Sequence, residues 1–116
     1  VASTDKGGMM KRIEISVPDF NDSFSRVVLS GNQYLIRFSY IDTFDYWTFG
    51  LYTPQKEPLL VGVKIVPNYP LNLFFGADNM PNGLFCAYTE LEKIGKNDFA
   101  EGKAIFAYVP AEQEAN

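Results

Sequence analysis

Two neighbouring stretches of the sequence determine the fold class: residues 33–41 read QYLIRFSYI and residues 46–53 read YWTFGLYT. In both, bulky apolar residues occupy every second position, which is the period of a β-strand with one buried face. The four residues between them, DTFD at 42–45, are typical of a turn. The two stretches therefore predict adjacent strands of an antiparallel sheet.

The same alternation recurs along the chain, and turn-forming residues interrupt it every 8–12 positions. Further strands are predicted at 11–17 (KRIEISV), 23–29 (SFSRVVL), 59–66 (LLVGVKIV), 84–90 (LFCAYTE) and 103–109 (KAIFAYV), with a short one at 71–75 (LNLFF). No segment keeps a helical period over ten residues. The prediction is an all-β fold, a small antiparallel β-barrel or barrel-like sandwich of seven to eight short strands.

A chain of 116 residues is expected to form one domain around one core. We predict a single barrel domain at residues 11–109. Residues 1–10 are expected to be a disordered extension or a cloning remnant, and residues 110–116 a frayed tail. The more apolar face of each strand predicts the core residues: Tyr34, Ile36, Phe38, Trp47, Phe49, Leu51, Val61, Val63 and Ile65.

The residues that most enzymes use for catalysis are largely missing. The chain has no histidine, which excludes serine and cysteine triads that use His and zinc sites that contain it. Its single cysteine, Cys86, is expected to be a small core residue. Acidic pairs such as Asp42 and Asp45 fall in turns, where carboxylates usually bond to backbone N–H groups. The sequence predicts no enzyme, with no catalytic residue, cofactor or metal.

Charge and hydropathy exclude two classes of partner. The net charge is −4 and the ten basic residues are scattered, whereas a nucleic-acid-binding domain usually carries a basic patch. No apolar run approaches the roughly 20 residues that a membrane-crossing helix needs. The sequence therefore predicts neither a nucleic-acid nor a membrane partner.

The aromatic content points to protein contacts. Ten Phe, seven Tyr and one Trp are more than a small core easily hides, and exposed aromatic residues are typical of interfaces. The predicted contact residues lie in turns or on outward strand positions: Tyr40, Phe44, Tyr46, Tyr52, Phe74, Phe75 and Phe85. The alternative is a carbohydrate- or ligand-binding β module that uses the exposed aromatic rings as a stacking platform.

Five stretches, in order, form a pattern that spans the chain: 22–24 (DSF), 29–31 (LSG), 33–40 (QYLIRFSY), 47–51 (WTFGL) and 58–63 (PLLVGV). With this pattern the chain resembles the small baseplate plug proteins of contractile-tailed bacteriophages, over residues 11–109. The resemblance implies a small β-barrel subunit of the virion, at the centre of the baseplate near the tail tube and hub. It implies no enzyme activity, metal or cofactor.

The resemblance also implies partners and a location. The partners would be other tail proteins, the tube and the hub, and the assembly would allow a homo-oligomer. The protein would reside in the virion tail baseplate, and in the cytoplasm of the bacterial host during assembly. A phage, a prophage or a tube-like bacteriocin could encode such a subunit.

Overall fold

The computed structural model describes residues 12–72 and 80–111. This part of the chain contains seven β-strands and no helix, which confirms the all-β prediction. The strands are β1 (Ile13–Ile15), β2 (Asp22–Leu29), β3 (Asn32–Ile41), β4 (Tyr46–Tyr52), β5 (Pro58–Lys64), β6 (Gly83–Thr89) and β7 (Ala104–Pro110). The predicted extension at 1–10, most of the predicted strand at 71–75 and most of the predicted tail lie outside the described residues, and the domain limits stay a prediction.

The strands form two antiparallel sheets. The four-stranded sheet has the order β2-β3-β4-β5, so each strand pairs with its neighbour in the chain. The two residues between β2 and β3, Ser30 and Gly31, have φ values of 50° and 84°, the left-handed region that tight hairpin turns require. The three-stranded sheet has the order β1-β7-β6, which brings the first and last strands together.

The two sheets are not closed into a barrel, so the closed form of the predicted barrel is wrong. β1 pairs with β7 over three residues, and no ladder joins β1 to β2 within the described residues. Alternation in the sequence shows which face of a strand is buried, but it does not show which strand edges meet. On the opposite side no ladder joins β5 to β6 in these residues either, although Pro67, after β5, forms an isolated parallel bridge with Ala87 of β6. The architecture is a two-layer sandwich.

The core lies between the sheets and is dominated by phenylalanine rings. Phe49 contacts Phe106 and Phe85 at centroid distances of 5.1 Å each, and Phe38 meets Phe106 edge-on at 5.0 Å. The predicted core is confirmed for seven residues that are buried: Tyr34, Ile36, Phe38, Trp47, Phe49, Leu51 and Ile65. Val63 is half-buried and packs against this cluster.

Val61 is 64% exposed, so its prediction as a core residue was wrong. Leu60 pairs with Leu51 and Val63 pairs with Phe49, which leaves two residues of β5 opposite one residue of β4. This is a β-bulge, and Gly62 within it has a φ of 65°. The extra residue shifts the alternation by one position and turns Val61 outward.

Two asparagine side chains form hydrogen bonds to backbone groups on the outer edge of β6, the edge that does not pair with β7. Asn72 is buried; its side-chain oxygen accepts the Phe85 N–H at 2.8 Å and its amide donates to the Gly83 carbonyl at 3.1 Å. Asn68 accepts from the Thr89 N–H at 3.1 Å and donates to the Thr89 carbonyl at 2.8 Å. The backbone N–H groups of Asn68 and Leu71 bond to the Ala87 and Phe85 carbonyls at 2.7 and 2.8 Å, so amides and backbone together satisfy the outward groups of β6.

Candidate functional site

The structure separates the predicted contact residues into three groups. Tyr46 and Tyr52 lie half-buried in β4, on the face of the four-stranded sheet that points away from the core. Phe44 lies in the turn between β3 and β4 and is 69% exposed. Tyr40, predicted to face outward, is half-buried on the core-facing side of β3, where its ring lies 5.4 Å from that of the buried Trp47. Two more of them, Phe74 and Phe75, lie outside the described residues.

Phe85 forms the third group, and its prediction as an outward contact residue was wrong. Its side chain is completely buried, and its ring lies 5.1 Å from Phe49 and 5.2 Å from Tyr108. Both faces of β6 carry apolar residues, with Leu84 and Cys86 on the side opposite Phe85. Without a polar residue to mark the outer face, the sequence does not show which set is buried.

A cluster on the outer face of the four-stranded sheet brings together Asp22, Phe24, Arg37 and Tyr52, and we call it the outer-face cluster. Nε and Nη2 of Arg37 each donate to the Asp22 carboxylate at 2.8 Å. The Phe24 and Tyr52 rings meet edge-on, with centroids 5.3 Å apart. The Arg37 guanidinium lies 5.6 Å from the centroid of the Phe24 ring. The side chains therefore hold one another in a single arrangement.

The opposite charges of Asp22 and Arg37 stabilise this arrangement. The hydrogen bonds from Arg37 hold the pKa of Asp22 below its usual value, and a further hydrogen bond from Ser39 acts in the same direction. The Asp22 carboxylate, followed by Tyr52, raises the pKa of Arg37. Both partners are therefore charged at neutral pH, and Arg37 is fixed by two parallel hydrogen bonds.

The outer-face cluster borders a shallow depression of about 450 Å³. Its floor contains Gly50, where an added Cβ would lie 2.8 Å from the Leu60 carbonyl oxygen, so no larger residue fits without movement. Thr48 and the bulged residue Val61 also line it. An arginine and aromatic rings around a concave surface are typical of the residues that dominate protein–protein binding energy.

A second cluster lies at the turn between β3 and β4. The Phe44 ring stacks on Tyr46 at 6.5 Å, and the Lys64 ammonium lies 4.8 Å from the centroid of the Tyr46 ring. The Tyr40 hydroxyl donates to the Asp45 carboxylate, which also pairs with Lys93 at 3.0 Å.

These contacts shift two pKa values in opposite directions. The hydrogen bond to Asp45 raises the pKa of Tyr40 to about 12. The same hydrogen bond, followed by the contact with Lys93, lowers the pKa of Asp45. The carboxylate therefore links β3 to the 90–103 segment and fixes the turn that presents Phe44.

Sequence reasoning missed Phe24 and Arg37 as members of a site. The signal that could have identified Phe24 is its position in β2, where it alternates with serines and shares a face with Asp22 and Arg26. A large aromatic residue on an otherwise polar face is exposed here, as that pattern predicts.

The structure offers little for catalysis or metal binding. Within residues 12–72 and 80–111, no group of three or more His, Cys, Asp or Glu residues could hold a metal ion. Burial raises the pKa of the Cys86 thiol, which favours the unreactive protonated form. In the same residues, no helix is long and apolar enough to cross a membrane.

A comparison with known protein families relates most of the chain to one of them. The family model described as cyanophage baseplate Pam3 plug gp18 matches residues 10–111, which include all seven strands and both clusters. No curated protein matches the chain.

Proposed function

The chain belongs to the family of cyanophage baseplate plug proteins, and from this membership we propose that it is a non-enzymatic structural subunit of a phage or prophage tail baseplate. Its role would be to plug or adapt the centre of the tube and hub through protein–protein contacts. The virion tail baseplate is then its location, with assembly in the host cytoplasm, and other tail proteins are its partners.

The observation that carries the contact surface is the outer-face cluster. Arg37 and Tyr52 are held in place before any partner arrives, so binding immobilises few additional side chains. Arginine and tyrosine are the residue types most often found at the energetic centre of an interface. The depression beside them, about 450 Å³, would receive a side chain of the tube or hub protein.

Phe44 and Tyr46 are proposed as a second part of the contact surface, and Tyr40 is proposed to contribute through its hydroxyl, which bonds to Asp45 in the same turn. Phe44 protrudes from a turn whose position the Asp45 carboxylate fixes, so a partner could reach it without rearranging the sheet. Phe74 and Phe75 stay proposed contact residues by sequence alone.

The alternative of a carbohydrate-binding module is less well supported. Sugar rings stack on open aromatic faces, but lysines lie over two of the rings here. The Lys56 ammonium is 5.0 Å from the centroid of the Phe24 ring, and the Lys64 ammonium is 4.8 Å from that of Tyr46. A sugar would have to displace both, whereas a protein partner could use the lysines as well. Binding of a glycan panel by the purified chain would reverse this preference.

Complementation of a phage or prophage that lacks the gene tests the proposal. Arg37→Glu should leave tails with incomplete baseplates in electron micrographs and lower infectivity. Arg12→Glu is the matched control. Arg12 immediately precedes β1 of the other sheet and pairs with Glu14, and its side chain is 41% exposed, as is that of Arg37. Intact tails without the gene would refute the assignment itself, and normal baseplates with Arg37→Glu would refute the surface alone.

A further inference from the structure

β2 presents an unpaired edge of eight residues. The Tyr40 N–H donates to the Asn21 carbonyl at 2.7 Å, so odd-numbered residues of the β2 segment direct their backbone groups toward β3. The even-numbered residues direct theirs away from the sheet, and within the described chain no strand pairs with them. β2 carries the charged residues Asp22 and Arg26, but it contains neither proline nor a register shift, two of the features that usually protect an edge.

The neighbouring strand does not cover this edge. A cleft of about 340 Å³ lies between the 13–18 segment and residues 25–29, so β1 and the end of β2 are separated. Val28 on β2 is 61% exposed. Within residues 12–72 and 80–111, the 13–18 segment thus flanks the end of β2 across a cleft without pairing with it, and the outward backbone groups of Asp22, Phe24 and Arg26 have no paired strand.

We propose that this edge pairs with β2 of a second copy of the chain, in antiparallel orientation, about a two-fold axis that passes beside Phe24. Such an axis makes the interface self-complementary, so each contact between two different residues occurs twice, once on either side of the axis. The two four-stranded sheets then continue into one sheet of both copies, joined by the outward backbone groups of Asp22, Phe24 and Arg26.

Charge complementarity selects this register. With Phe24 opposite Phe24, Asp22 of one copy faces Arg26 of the other, and Arg26 forms no ion pair within the described residues. An axis at Arg26 or at Asp22 would place like charges opposite each other, which is unfavourable across strands. Only the central register gives an opposite-charge pair on both sides of the axis.

The apolar residues at the ends of the edge support the same register. Val28 then lies beside Phe20 of the second copy, and Phe20 is 68% exposed in the single chain. The two most exposed apolar side chains along this edge would thus cover each other.

A buried hydroxyl gives independent support. The Ser23 hydroxyl oxygen is buried and has no hydrogen-bond partner in the described part of the chain. In the proposed register it faces Ser25 of the second copy in a non-hydrogen-bonded pair, where side chains approach most closely. The partner serine would satisfy the buried hydroxyl.

Sedimentation velocity on the purified full chain, over a concentration series, tests this proposal without any phage component. The wild type should dimerise. Arg26→Asp places Asp opposite Asp at both pairs, and Asp22→Arg places Arg opposite Arg, so each should raise the dimer dissociation constant at least about tenfold. Lys96→Asp, the same charge change in the exposed 90–103 segment, should leave the constant unchanged.

Mixing the two single variants provides the decisive measurement. Asp22→Arg chains and Arg26→Asp chains carry complementary edges, so the mixture should dimerise although each variant alone does not. Circular dichroism would show that both are folded. A wild type that stays monomeric, variants that dimerise normally, or a mixture that fails to associate would each overturn the proposal.

Arg26→Pro tests the backbone part of the interface. Its N–H points away from β3, so proline should leave the β2–β3 ladder intact and weaken only the dimer. A folded Arg26→Pro variant that dimerises as tightly as the wild type would contradict strand pairing. Because these experiments use the isolated chain, their failure would leave the baseplate assignment untouched.

Discussion

The outer edges of β6 and β2 differ, in the described part of the chain, in whether their outward backbone N–H and carbonyl groups have hydrogen-bond partners. Along β6, the amides of Asn68 and Asn72 bond to backbone N–H and carbonyl groups that would otherwise lack a neighbouring strand. Along β2, no strand of residues 12–72 and 80–111 pairs with the outward backbone groups. Within these residues, the chain thus completes the edge of β6 with two amides and two backbone N–H groups, whereas the edge of β2 has no paired strand.

Removing the buried side-chain amide of Asn72 should cause the largest loss of stability. Asn72→Ala would leave the Phe85 N–H and the Gly83 carbonyl without their side-chain partner, and we expect a loss of about 2–3 kcal/mol in the free energy of unfolding. Denaturant titration would measure it. Asn97→Ala, at an exposed loop position, is the control; equal stability of the two variants would mean that Asn72 does not complete the edge.

The exposed amide should matter less. Asn68→Ala removes two hydrogen bonds to Thr89, but water can reach both groups, so we expect a loss of about 1 kcal/mol. Hydrogen exchange at the Thr89 amide should accelerate more than exchange elsewhere in β6. Uniform acceleration would indicate a global effect instead.

On the β2 side, the ion pair of the outer-face cluster gives a pH dependence. Arg37 lowers the folded-state pKa of Asp22, so this contribution to stability is present above the unfolded value of 3.8 and disappears as the pH falls through the folded value. Both side chains are largely exposed, so we expect less than about 1 kcal/mol. The stability difference between wild type and Asp22→Asn should vanish at low pH; a difference that grows on acidification would contradict this sign.

The smallest effect on the free energy of unfolding is expected for a substitution of Ser23 on β2. Ser23→Ala removes a buried hydroxyl that has no partner in the described chain, so the free energy of unfolding of the monomer should stay within about 0.5 kcal/mol or rise slightly. A titration at low protein concentration isolates the monomer. A loss above about 1 kcal/mol would show that the hydroxyl is already bonded.

The strands and most of the core could be predicted because their alternation is strict. Tyr34, Ile36 and Phe38 follow a pure two-residue period, and the structure buries all three. The prediction that Val61 lies in the core was wrong because a bulge shifts this period within β5. The prediction that Phe85 faces outward was wrong because both faces of β6 are apolar, so the pattern does not show which face is buried.

The edges and the contact surface depend on information that lies outside any single strand. Asn68 lies between two predicted strands and Asn72 inside the short strand predicted at 71–75. The bonds of their side chains to β6 follow only from the path of the chain between the sheets. Tyr46 and Tyr52 were predicted to face outward, but the Phe24–Arg37 contact joins residues of two strands. Single-strand patterns do not encode such pairs.

The pairing of β1 with β7 has a consequence for the order in which the molecule can fold. Ile13 pairs with Tyr108, whereas every ladder of the four-stranded sheet joins consecutive strands. Local pairings form faster than pairings between distant parts of the chain. During synthesis the four-stranded sheet can therefore form while Phe38 and Phe49 still face water, and they are covered only when β6 and β7 have emerged. The newly made chain passes through a stage with an exposed aromatic layer, during which aggregation or a chaperone would compete with completion of the sandwich.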